Sequence, residues 1–206
     1  MKTLLISLAI LASAPVHADP DTAEVRPVTG FHGISVSAVV DVDVTIGATT
    51  RVELRGPKDW VARLETRVDN GTLIFAMPGQ YKNAPKLHAT VTVPSLDAIS
   101  LSGVGDIQAT RLAEKTLDVK VSGVGNITLT GAADSLDVVV SGVGDVRAKE
   151  LTSHSARVKL SGTGNAAVRA TQDVDASVSG IGDIVVVGKP ANVHKHVSGM
   201  GHVHVE

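Results

Sequence analysis

The sequence contains no cysteine among its 206 residues. Disulfides are therefore excluded, as is a cysteine-borne lipid anchor, and stability must come from burial and hydrogen bonding. Aromatic residues make up only 2% of the chain, with one Trp and one Tyr. Sugar-binding grooves usually present several aromatic platforms, so this scarcity weighs against a conventional glycan enzyme. No excess of positive charge is present: the formal net charge is −2. That balance leaves no electrostatic footprint for nucleic acid or anionic lipid. After the first residues, no apolar run approaches the roughly 20 residues needed to span a membrane.

What is present begins with "MKTLLISLAILASAPVHADP". Lys2 gives a positive start, Leu4 to Leu11 form a short apolar run, and Val16-His17-Ala18 resembles a processing site. This pattern reads as a secretory signal peptide over residues 1–18, cleaved after Ala18. The mature chain is expected to be exported, to the periplasm or beyond. Residues 19–26 read as a short extension, and residues 27–206 as one domain.

The dominant feature is a repeat. Ser-Gly-x-Gly recurs at Ser102, Ser122, Ser141, Ser161, Ser179 and Ser198, spaced by 18–20 residues. The first glycine of each copy is Gly103, Gly123, Gly142, Gly162, Gly180 or Gly199. The second is Gly105, Gly125, Gly144, Gly164, Gly182 or Gly201. The next residue is Asp106, Asn126, Asp145, Asn165, Asp183 or His202. One residue before each Ser stand Leu101, Val121, Val140, Leu160, Val178 and Val197. Five after it stand Ile107, Ile127, Val146, Ala166, Ile184 and Val203. Apolar residues alternate on both sides, so each copy reads as strand, corner, strand. Such a unit cannot bury its own apolar face, but stacked copies bury a continuous column. The fold expected is all-β: a right-handed, single-stranded parallel β-helix (β-solenoid) with rungs of about 19 residues. An antiparallel sandwich is the alternative, disfavoured by the even register. Upstream, "DWVARLETRV" suggests one helical turn capped by Asp59, and residues 78–86 a turn-rich loop.

Three chemical readings of the corner compete with a purely structural one. Phosphate binding lacks the following helix and the P-loop Lys. Calcium binding is opposed by the alternation of Asp with Asn, which sets carboxylates two rungs apart, about 9–10 Å. Catalysis lacks a convergent constellation, and His154 reads as a solvated loop residue. The structural reading assigns the glycines to tight bends, the serines to hydrogen bonds between rungs, and Asp or Asn to local turn backbone. The residue between the glycines (Val104, Val124, Val143, Thr163, Ile181 or Met200) is expected to pack inside.

Three outward features remain. Asp118 and Asp137 would be one rung apart, either as a cation contact or, preferably, neutralised by Lys120 and Arg157. The last copy, "NVHKHVSGMGHVHVE", carries His194, His196, His202 and His204. Pairs of His on strand faces can hold Zn²⁺ or Cu²⁺, and these four are the candidate metal ligands. Lys195 interrupts an inward column, an expected guard against end-to-end strand pairing.

The layout resembles the family described as putative auto-transporter adhesin, head GIN domain. The residues carrying the resemblance are "FHGISVSAVVDVDVTIG" (31–47), "VDNGTLIF" (68–75) and "VTVPSLDAISLSGVGDI" (91–107) leading into the repeats. The resemblance implies export, a right-handed β-helix and an adhesive or scaffolding role in the cell envelope, with no catalytic residues and no cofactor. A glycan-acting or glycan-binding envelope protein and a periplasmic metal-binding protein using the C-terminal histidines are the alternatives. The partner expected is an envelope or cell-surface component, or a second copy of the chain.

Overall fold

The structure, a computed structural model, describes residues 21–79 and 83–206. The expected signal peptide and its cleavage site at Ala18 lie outside the described residues. The strands are β1 (Asp21–Arg26), β2 (Gly33–Val36), β3 (Val40–Ile46), β4 (Arg51–Pro57), β5 (Glu65–Asp69), β6 (Thr72–Ala76), β7 (Leu87–Val93) and β8 (Ala98–Leu101). They continue with β9 (Ile107–Val121), β10 (Ile127–Val140), β11 (Val146–Leu160), β12 (Ala166–Val178), β13 (Ile184–Val187), β14 (Asn192–Val197) and β15 (Val203–Val205). One helix, α1 (Lys58–Arg63), follows β4.

From β9 onward each rung lies parallel on the one before, as β9–β10–β11–β12, and then β13 with β14 and β15. This is a β-solenoid with rungs of about 20 residues. The alternation read from the sequence explains it. Leu117, Val119, Val121, Ile127 and Leu129 are all buried, and their counterparts on neighbouring rungs stack on them. Each fully buried aliphatic side chain stabilises by about 1.5–3 kcal/mol before ordering costs. β9 and β10 each hold one positive-φ residue, Arg111 (62°) and Gly131 (127°), where the register between the two strands shifts.

The N-terminal end is built differently. β2 and β3 form a rung lying between two later segments: β6 and β7 on its outer side, β8 and β9 on its inner side. Space order therefore departs from chain order. Beyond this rung the pairing turns antiparallel, with β4 on β7, β5 on β6, and β1 on β4. Residues 21–26 are thus hydrogen-bonded into the sheet. These strands, with α1, cover the N-terminal edge. The N-cap of α1 is Pro57 without a side-chain bond. Asp59 sits in the first turn, where its charge favours the helix dipole. It does not cap, because the helix begins two residues earlier than its sequence suggests.

At the opposite end, β14 pairs only β12, and β15 pairs only β13. Lys195 stands at the end of the column Ile99, Val119, Val138, Val158, Ala176, whose members are buried. Its ammonium donates to the Val203 carbonyl at 3.2 Å, reaching from β14 to β15.

Candidate functional site

The corner is held by its own backbone. Ser122 and Gly123 N–H both donate to the Leu101 carbonyl (2.8 and 3.0 Å), Val124 N–H to Gly103, and Gly125 N–H to Val143 of the next rung. The same set recurs at Ser141 and Ser161. A phosphate cradle needs free N–H groups, and here they are bonded between rungs. Serine hydroxyls are engaged likewise: Ser102, Ser141 and Ser161 Oγ donate to carbonyls of Val36, Val121 and Val140 at 3.3–3.4 Å.

The glycines are demanded by the stacking. A Cβ on Gly123 or Gly125 would fall on the carbonyl oxygen of Gly103 or Gly105. The contact repeats up the column: a Cβ on Gly144, Gly164, Gly182 or Gly201 would meet the carbonyl oxygen of Gly125, Gly144, Gly164 or Gly182 in turn. Gly125, Gly144, Gly164 and Gly182 also take positive φ, at 151, 152, 144 and 138°. Gly201 is not among the positive-φ glycines, so there contact rather than φ excludes a side chain. The rung of β2 and β3 makes the same corner with Ser37, Ala38, Val39, Val40 and Asp41, since Val39 bridges Val104 in parallel. Ala38 and Val40 replace the glycines there. No corner of this kind is stacked outside them among the described residues, so their side chains meet no such obstacle.

The residues between the glycines face outward, contrary to the sequence expectation. Val104, Val124, Val143, Ile181 and Met200 are 45, 50, 51, 49 and 69% exposed. After each of the first five apices a positive-φ glycine turns the chain. The apex residue therefore sits on the bend and escapes the strand's alternation. Parallel bridges link Val39, Val104, Val124, Val143, Thr163, Ile181 and Met200 into one row.

Beside this row runs a polar ladder. Asp41 Oδ1 accepts from Asp106 N–H (2.7 Å), Asp106 Oδ1 from Asn126 N–H (2.8 Å), and Asn126 Oδ1 from Asp145 N–H (3.2 Å). Asp145 Oδ1 accepts from Asn165 N–H, Asn165 Oδ1 from Asp183 N–H, and Asp183 Oδ1 from His202 N–H. These side chains therefore bond the next rung, not their own turn. Each Asn also donates its Nδ2 back to the preceding Asp, at 2.9 Å for Asn126 and 3.1 Å for Asn165. The backbone bond from Asn126, its side-chain bond and the Lys86 charge lower the Asp106 pKa below the usual carboxylate value.

Alternation fails once. Asp41 and Asp106 are neighbours, and Lys86 Nζ lies between them, 2.9 Å from Asp41 and 3.5 Å from Asp106. The Asp41 bond raises the Lys86 pKa above its ordinary value. A lysine thus occupies the pair of adjacent carboxylates that could otherwise have attracted a cation. The sequence signal was the degenerate corner Ser37-x-Val39-x-Asp41.

The strand face beyond the ladder holds two adjoining recesses. One of about 390 Å³ is lined by Thr128, Thr130, Asp145, Arg147, Lys149 and Glu150. The other, about 300 Å³, is lined by Asp41, Asp43, His88, Asp106, Gln108 and Arg147. Arg147 stands between them and is tied to Asp145 at 2.9 Å.

The remaining sequence candidates are dispersed. Arg157 pairs with Asp137 (3.5 Å) and Asp175 (3.8 Å). It therefore neutralises Asp137, whereas Lys120 forms no ion pair among the described residues. His154 lies on β11, not in a loop, with Nδ1 3.4 Å from Asp134. The four last-rung histidines split into two pairs. His194 and His196 are exposed on β14, beside Asp175 and Ser177. His202 and His204 gather instead with Asp183, the three ligand atoms lying within 4.8 Å of one another.

A parallel β-solenoid with an outward apolar row and a polar ladder along one corner defines the architectural class. The chain belongs to the family described as "Putative auto-transporter adhesin, head GIN domain", whose model matches residues 30–190. Among solved structures, it is similar to a putative adhesin from Bacteroides fragilis, at 25% identity and TM-score 0.76, covering 91% of this chain and 97% of that one. A putative adhesin from Parabacteroides distasonis (20%, TM-score 0.57, 91% and 98% covered) shares the fold, as does one from Parabacteroides merdae (18%, 0.50, 90% and 96%). No curated protein matches the sequence.

Proposed function

We propose that the chain is an exported, non-catalytic binding module of the cell envelope, and that it meets its partner through the repeated corner. The observation carrying this reading is the exposed, mostly apolar row from Val104 to Met200, interrupted by Thr163. Its six rungs span about 24 Å at strand spacing. Soluble monomers rarely expose contiguous apolar patches without an interaction to cover them. The neighbouring ladder spends its polar groups on backbone, so it serves as a rigid mount and leaves contact to the row and the strand-face recesses. Family membership supports an adhesin-like role in the envelope or outside the cell. Export rests on residues 1–18, and the N-terminus of the secreted chain should be Asp19.

The test is binding of the mature chain to whole cells and to immobilised envelope fractions. The double variant Val124→Gln, Val143→Gln changes only exposed apices and adds no charge, so its unfolding midpoint should stay near that of the parent. Binding should fall at least tenfold. Unchanged binding by the folded variant, or no binding by the parent, overturns the reading.

A further inference from the structure

We propose that Asp183, His202 and His204 form a surface site for a single late first-row divalent cation, with Zn²⁺ as its type. Three observations meet here. Strand alternation puts His202 and His204 on one face, and the register of β15 on β13 sets them beside Asp183. Their rings stand 5.7 Å apart, tilted by 32°. In a tetrahedral zinc sphere with bonds of about 2.0–2.1 Å, ligand atoms lie about 3.4 Å apart. Small rotations of two exposed rings close that gap.

The second observation is what His202 replaces. It occupies the ladder position that Asn126 and Asn165 fill in earlier rungs. There the amide Nδ2 donates to the preceding Asp; here the His202 Nδ1 faces Asp183 Oδ1 at 3.4 Å. A ring nitrogen and a carboxylate oxygen attract only with a proton or a cation between them. The third is pre-organisation: the His202 N–H bond to Asp183 Oδ1 (2.7 Å) holds the carboxylate beside the two rings. Two imidazoles and one carboxylate suit zinc, nickel or copper, whereas calcium requires six or more oxygens. A fourth position would stay open to water or to a donor atom from a partner.

No other rung carries two histidines at these positions. The corresponding pairs are Asp106 with Gln108, Asn126 with Thr128, Asp145 with Arg147, Asn165 with Ala167, and Asp183 with Val185. His194 and His196, on β14, take no part.

The experiment is titration calorimetry with Zn²⁺ on the mature chain, prepared without a polyhistidine tag. His202→Asn restores the residue used in earlier rungs and so preserves the ladder, as its unfolding midpoint will report. One Zn²⁺ should bind per chain. His202→Asn and His204→Ala should each weaken it at least tenfold, while the double variant His194→Ala, His196→Ala leaves it unchanged. Absence of saturable Zn²⁺ binding, meaning a His202–Asp183 hydrogen bond only, overturns the proposal. So does loss of binding in the His194, His196 variant alone.

Discussion

Asn126 reaches Asp106 Oδ1 twice, through its backbone N–H at 2.8 Å and its side-chain Nδ2 at 2.9 Å. Its own Oδ1 meanwhile accepts the Asp145 N–H. One side chain thus joins three rungs. Asn126→Asp keeps the acceptor, removes the donor, and sets four carboxylates in a row, at positions 41, 106, 126 and 145. It should cost about 1–2 kcal/mol in urea unfolding, and added salt should recover part of the loss. Equal stability of variant and parent at low salt would refute charge crowding as the cause.

The corner glycines should be far less replaceable than a glycine with open space around it. Gly125→Ala drives a methyl group into the Gly105 carbonyl, and should destabilise by at least about 3 kcal/mol or prevent folding. Gly30 also has a positive φ, +76°, but nothing lies within 4 Å of where its Cβ would stand. Gly30→Ala should therefore cost only about 1–2 kcal/mol. Thermal unfolding of the two variants gives the comparison, and equal losses would count against contact as the cause.

The Lys86 bridge makes a pH-dependent contribution. Asp106 has a lowered pKa. Its stabilisation is therefore present above the unfolded value of about 3.9 and is lost as pH falls through the lower folded value. Lys86→Met leaves Asp41 and Asp106 adjacent without their cation. At pH 7 the variant should be less stable by up to about 1 kcal/mol, as the groups are largely exposed. The gap between parent and variant should narrow once pH falls below the ordinary carboxylate value of about 3.9, and so be smaller at a pH of about 3 than at pH 7. Urea midpoints at both pH values decide it; a gap that widens in acid contradicts the assignment.

Lys195 places a charge over the end of the apolar column. Lys195→Val should raise self-association, seen as an earlier, concentration-dependent elution in size-exclusion chromatography. An elution volume identical to the parent's across concentrations would remove Lys195 from this role.

Period-two alternation made the solenoid interior legible in advance. Leu101, Val121, Val140, Leu160 and Val178 are buried as their positions require. The apex residues were not legible, because a strand rule cannot be carried across two glycines. Asp41 was hidden since Ala38 and Val40 disguise its corner. The insertion of β2 and β3 between later segments leaves no local mark, being a matter of which edges find one another. The last-rung histidines were visible as residues, but their grouping was not. Asp183 is 19 residues from His202, and only the register of β15 brings it to His204.

The ladder also restricts how such a molecule can lengthen. Its N-terminal cap is built once, while further rungs can be added beyond it. A duplicated rung bearing Asp next to another Asp recreates the crowding at Asp41 and Asp106, which here takes a lysine from a separate loop to relieve. Duplicating an Asp rung together with its Asn neighbour carries no such demand. The neutral increment of growth is thus a pair of rungs, about 9.6 Å of added reach.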